Sequence, residues 1–69
     1  MNTADMKPHQ LRVLDERDDL QGKIERLDIF TGSEMFRTLP ATEQFTMVNQ
    51  LNFMRGYLQC LDKRILAFT

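Results

Sequence analysis

From Phe45 to Phe68 the chain spreads apolar side chains around more of a helix than one partner helix can cover. Val48, Leu51, Leu58 and Ile65 form one row at helical spacing, and Met47, Met54, Leu61 and Phe68 form a second. Phe45, Phe53 and Tyr57 widen the surface further. A single antiparallel neighbour fills about one such row, so the surplus predicts packing between copies in a bundle of four or more helices. Asn49, Gln50 and Asn52 are the polar positions expected at the exposed or interfacial part of that surface.

Length points the same way. A chain of 69 residues usually supplements its small core with a disulfide, a metal or self-association. Cys60 is the single cysteine and His9 the single histidine, with no CxxC or HxxxH spacing, so neither an internal disulfide nor a zinc site is expected. Cys60 lies in an apolar stretch and reads as a small buried hydrophobe rather than a reactive thiol. Self-association is the device that is left.

Nine Lys and Arg against ten Asp and Glu give a net charge of -1, which argues against a duplex nucleic acid partner held by phosphate neutralisation. A content of 42% hydrophobic residues with five Phe is too apolar for a disordered tail. No basic start leads into an apolar run, and no stretch approaches the roughly 18 uninterrupted apolar residues of a membrane span. The expectation is a cytosolic protein with no membrane partner.

Residues 1–6 read as a flexible N-terminus and residues 7–69 as a single helical-hairpin domain. Pro8 suits the first turn of a helix running from Lys7 to Phe30, with Val13, Leu20, Ile24 and Leu27 on one stripe that Arg17 interrupts. Asp15, Glu16, Asp18, Asp19, Lys23, Glu25 and Arg26 mark a solvated opposite face. Gly22 weakens the helix by about 1 kcal/mol relative to Ala and is read as the mark of a close helix crossing. Thr31 and Gly32 supply a stop, Ser33 caps a single helical turn through Phe36, and Met35, Phe36 and Leu39 plug the end of the hairpin. Pro40 then opens a second helix from about Ala41 to Ala67. The fold class is therefore all-α: two long helices, a short helical connector, and assembly into a homo-oligomeric bundle.

Catalysis is not expected, because nucleophile, base and orienting group have no means of converging when His9 is near one end and Cys60 lies in an apolar helix. The carboxylates of the DERDD run have the neighbours of a solvated helix face, and Gly22, Gly32 and Gly56 are too scattered for a phosphate loop. No cofactor is called for. Folding the hairpin about its connector makes neighbours of residues whose numbers sum to about 71, so Lys7, His9 and Arg12 should approach Gln59, Lys63 and Arg64. Such a cation cluster can clamp phosphates, with a helix N-terminus beside it and Tyr57 or His9 available to stack on a base. The competing reading is a set of surface salt bridges involving Glu16 and Asp62, with Arg37 merely solvated.

The runs PHQLRVLDERDDLQGKIERLDIF, GSEMFRTLPATEQ and QLNFMRGYLQCLDKRILAF resemble a family of short tailed-phage proteins over residues 8–68. The matching positions are His9, Gln10, Arg12, Val13, Glu16, Leu20, Lys23, Ile24, Leu27 and Phe30 in the first run. Phe36, Leu39, Glu43 and Gln44 match in the second, and Gln50, Met54, Tyr57, Leu61, Arg64 and Ile65 in the third. Gly22, Gly56 and Cys60 depart from the common pattern. The resemblance implies an early accessory protein acting inside an infected bacterium. By analogy of fold, small oligomeric helical hairpins of that kind include sponges that sequester cyclic nucleotide signals of CBASS or Thoeris defence. It directs a ligand role to His9, Gln10, Arg12, Lys23, Tyr57 and Arg64.

The leading expectation is a homo-oligomer that holds a cyclic oligonucleotide or related nucleotide signal between subunits without cleaving it. Arg12 and Arg64 would hold phosphates, Tyr57 or His9 would stack on a base, and Lys23 and Gln10 would reach from a neighbouring subunit. The alternative is a protein-interaction module whose Phe45, Phe53 and Tyr57 row docks a host protein. A virion component is a third possibility.

Overall fold

The computed structural model describes residues 5–68 and contains a helix α1 over Pro8–Thr31, a short α2 over Glu34–Thr38 and a long α3 over Ala41–Leu66. Residues 1–4, within the stretch expected to be flexible, lie outside the described residues. α1 and α3 pack side by side as an elongated antiparallel hairpin of 49 × 16 × 14 Å.

Local chemistry explains each boundary. Pro8 occupies the first turn of α1, where its missing N–H costs nothing, and the Gln10 side chain accepts the Lys7 backbone N–H at 2.9 Å. α1 stops at Thr31 as expected, although Gly32 keeps a right-handed φ of −90° and does not use the left-handed freedom of glycine. Ser33 caps α2: its Oγ accepts the Phe36 N–H at 3.2 Å and donates to the Phe30 carbonyl at 2.6 Å. Gln44, one turn into α3, donates to the Leu39 carbonyl at 2.8 Å and ties the connector to the helix it feeds.

The core is a single seam. Val13, Leu20 and Ile24 of α1 bury against Leu51 and Leu61 of α3, with Leu27, Met54, Leu58, Ile65 and Phe68 partly buried around them. The plug at the closed end is mostly Phe36, which is buried and meets the Phe30 ring edge to face at 6.1 Å. Leu39 is half-buried and Met35 is exposed.

Two residues depart from the expectation. Cys60 is exposed, because it lies on the side of α3 turned away from α1, where apolar neighbours in sequence do not become neighbours in space. A Cβ on Gly22 would meet only the Arg26 side chain of its own helix, at 3.3 Å, so this glycine marks no crossing within the hairpin. Arg17, the interruption in the α1 stripe, reaches across the seam and donates its Nε–H to Asp62 Oδ1 at 2.8 Å. Asp28 and Arg55 make a second cross-hairpin pair at 3.0 Å.

Candidate functional site

The third polar contact between the long helices is the Tyr57 hydroxyl donating to Glu16. The residue numbers of its partners sum to 73, whereas those of Arg17–Asp62 and Asp28–Arg55 sum to 79 and 83, so the Tyr57 and Glu16 side chains reach along the hairpin to meet. Residues seven apart return to nearly the same helix face, so His9 and Lys23 share the Glu16 stripe of α1, and Gln50 and Arg64 share the Tyr57 stripe of α3. The result is a ladder of two stripes joined at Glu16 and Tyr57, with His9, Glu16 and Lys23 about 10 Å apart along α1 and Gln50, Tyr57 and Arg64 about 10 Å apart along α3. Arg12 joins the α1 stripe one turn before Glu16.

Glu16 and Tyr57 hold the middle of the ladder. The hydrogen bond to Glu16 raises the Tyr57 pKa above the usual tyrosine value of 10.0, with desolvation and the Glu16 charge acting in the same sense. The positive charge of Arg64 acts in the opposite sense, which puts that guanidinium within electrostatic reach of the phenol. The phenol is thereby held neutral.

Of the residues expected to bind a ligand, His9, Arg12, Lys23, Tyr57 and Arg64 are all exposed and share this side of the hairpin. Gln10 stands off the stripe and serves the α1 cap through its Oε1. The cation cluster expected at the open end is narrower than the fold-over suggested, since Lys63 and Gln59 fall on other faces of α3 at about 100° per residue. Glu16 and Gln50 were not among the expected ligand residues. The seven-residue steps His9, Glu16, Lys23 and Gln50, Tyr57, Arg64 are the signal that points to them.

Tyr57 and Gln50 also border an open groove of about 640 Å³ on the outer side of α3, lined with Thr46, Asn49, Phe53 and Met54. Phe53 leaves 79% of its surface exposed there, and Tyr57 leaves 45%. A second groove toward the start of α3 shares Thr46 and Gln50 with it and adds Thr42, Glu43 and Met47. Among the described residues no group of three His, Cys, Asp or Glu side chains gathers closely enough to hold a metal ion, and no helix is long and apolar enough to cross a membrane.

Comparison with known proteins identifies the chain at the level of family. Residues 7–67 match the family described as Sequestin. An uncharacterized 7.5 kDa protein from the denB-rIIB intergenic region of Enterobacteria phage T4 is 41% identical over 63 residues, which covers 91% of this chain and 98% of that protein. No solved structure matches. The chain belongs to the Sequestin family, a family of small phage proteins.

Proposed function

For a member of the Sequestin family with this ladder, we propose binding and sequestration, without cleavage, of a cyclic oligonucleotide or related nucleotide immune signal of the CBASS or Thoeris type. It acts in the host bacterial cytoplasm as a homo-oligomer that holds the ligand between subunits. The family description supports sequestration as the mode of action, and the relative supports a phage setting. The feature that carries the ligand class is the ladder itself, where Tyr57 is joined to Glu16, with Arg64 and His9 toward the open end of the two stripes and Lys23 toward the closed end.

A cyclic oligonucleotide alternates phosphates with bases, and it needs cations flanking an aromatic face. Arg64 and Arg12 offer planar guanidinium donors to phosphate oxygens. The Tyr57 ring offers a stacking platform, and Glu16 fixes its edge. Lys23 supplies a point charge, and His9 supplies either a second ring or a donor. Withholding a signal requires affinity and abundance but no turnover, so the protein is proposed to be a binder and not an enzyme.

Tyr57 is the single tyrosine and there is no tryptophan, so its fluorescence reports on the site directly. Titration with cyclic di- and trinucleotides is expected to quench it, and Arg12→Ala or Arg64→Ala should weaken binding by more than tenfold. Silence across the whole panel would overturn the ligand class. The exposed Phe53 groove keeps docking of a host protein as the second reading, favoured if nucleotides are inert.

A further inference from the structure

We infer that the outer groove of α3 is a two-fold interface, in which α3 of one protomer lies antiparallel along its full length against α3 of a second copy. The inference rests on the oligomeric part of the proposed function and is independent of which ligand is bound.

Area argues for a partner. The protomer exposes 5315 Å², whereas a folded monomer of 8.2 kDa should expose about 4,500 Å². The excess of about 800 Å² goes with the elongated 49 × 16 × 14 Å shape, and it is comparable to what one partner contributes to a standard stable interface. A two-layer hairpin has no third layer to cover it, and Phe53 in the groove is among its most exposed large apolar side chains.

Charge chooses the occupant and its direction. The second groove begins beside Glu43 in the first turn of α3, and Lys63 and Arg64 occupy the last turn. None of the three is in a salt bridge among the described residues. An antiparallel second copy in full overlap sets Glu43 of each helix level with Arg64 of the partner subunit, and it opposes the two helix dipoles. A parallel copy would stack like charges at both ends.

Full overlap of Ala41–Leu66 with itself puts the two-fold axis beside Phe53. Phe53 then packs against its own symmetry mate, and Thr46 and Cys60, seven residues to either side on the same face, become partners across the axis. Tyr57 comes opposite Asn49 and Gln50 of the partner subunit. Gly56, where an added Cβ would meet nothing within 4 Å, leaves room for the same Gln50 side chain. The partner thus brings a second amide beside Tyr57, in addition to the protomer's own Gln50.

Disulfide trapping and native mass measurement test this together. The wild type should have twice the 8.2 kDa protomer mass at tens of micromolar. Thr46→Cys should link to the native Cys60 of the second copy under mild oxidation, while the wild type should not link, because its two Cys60 residues are about 20 Å apart along the axis and a disulfide needs Cα atoms within about 7 Å. Phe53→Glu should keep the helical circular dichroism of the protomer and raise the dimer dissociation constant at least tenfold. A Cys60 to Cys60 link in the wild type, failure of Thr46→Cys to link, or a Phe53→Glu protein that remains dimeric overturns this interface and leaves an oligomer through another face standing. A wild-type monomer overturns the interface and the oligomeric reading, and the nucleotide titration then decides on ligand binding separately.

Discussion

Replacing Leu61 by Ala should remove a large part of the stability of the hairpin. Leu61 is the one described side chain with no exposed surface, and it belongs to a core cluster whose other buried members are Val13, Leu20, Ile24 and Leu51. Buried Leu→Ala changes cost about 2–5 kcal/mol, and the cost grows with the cavity left behind. A hairpin only two helices thick can relax inward from its open sides, so the lower part of that range applies, about 2–3 kcal/mol. A chain of this size has on the order of 3–10 kcal/mol in total. Urea unfolding followed by far-UV circular dichroism should therefore show a midpoint lower by about 2 M if the slope is near 1 kcal/mol/M. The loss should persist at every protein concentration, because Leu61 is buried within one protomer. Phe53→Ala is the control: exposed in the protomer, it should cost stability only where copies associate, and so in a concentration-dependent way. A Leu61→Ala loss below about 1 kcal/mol would refute the placement of the core on this seam.

Ser33→Ala removes the α2 cap and should cost about 1 kcal/mol in the same urea assay, while Ser33→Gly should cost only a few tenths. The Tyr57 phenol, followed by near-ultraviolet absorbance, should ionise above its ordinary value of 10.0, and Glu16→Ala should bring the titration back down. The folded protein holds that proton more tightly than the unfolded chain, so this contact adds stability below the ordinary tyrosine pKa, and the contribution is lost as pH rises through the raised one.

Features that depend on neighbours in the chain were legible in the sequence. Pro8, Ser33 and Pro40 act within one helical turn, and the helices begin and end close to where those residues place them. The identity of the helix face that meets α1 was less legible. Periodicity separates apolar rows from polar ones, but it does not separate a row packed inside the hairpin from a row reserved for another copy. Leu51 and Leu61 are buried, whereas Val48 is 42% exposed and Cys60 is exposed too, although all four sit in the same apolar stretch. The polar cross-links were hidden for a related reason. Arg17 and Asp62 are 45 residues apart, and Glu16 lies in a charge run that reads as a solvated face until Tyr57 is brought against it. The candidate site was half visible: the sequence supplied the cations and the ring, and the register of the hairpin supplied the carboxylate between them.

Sequestration without cleavage is tested most directly by the mass of what the protein holds. The protein should be recovered natively from infected cells in which the nucleotide immune signal has been raised, then denatured, and the released small molecule weighed. An intact cyclic oligonucleotide or related nucleotide, released in proportion to protein and lost with Arg64→Ala, is the predicted result. Empty protein, or a linear cleavage product in place of the intact signal, would contradict the account.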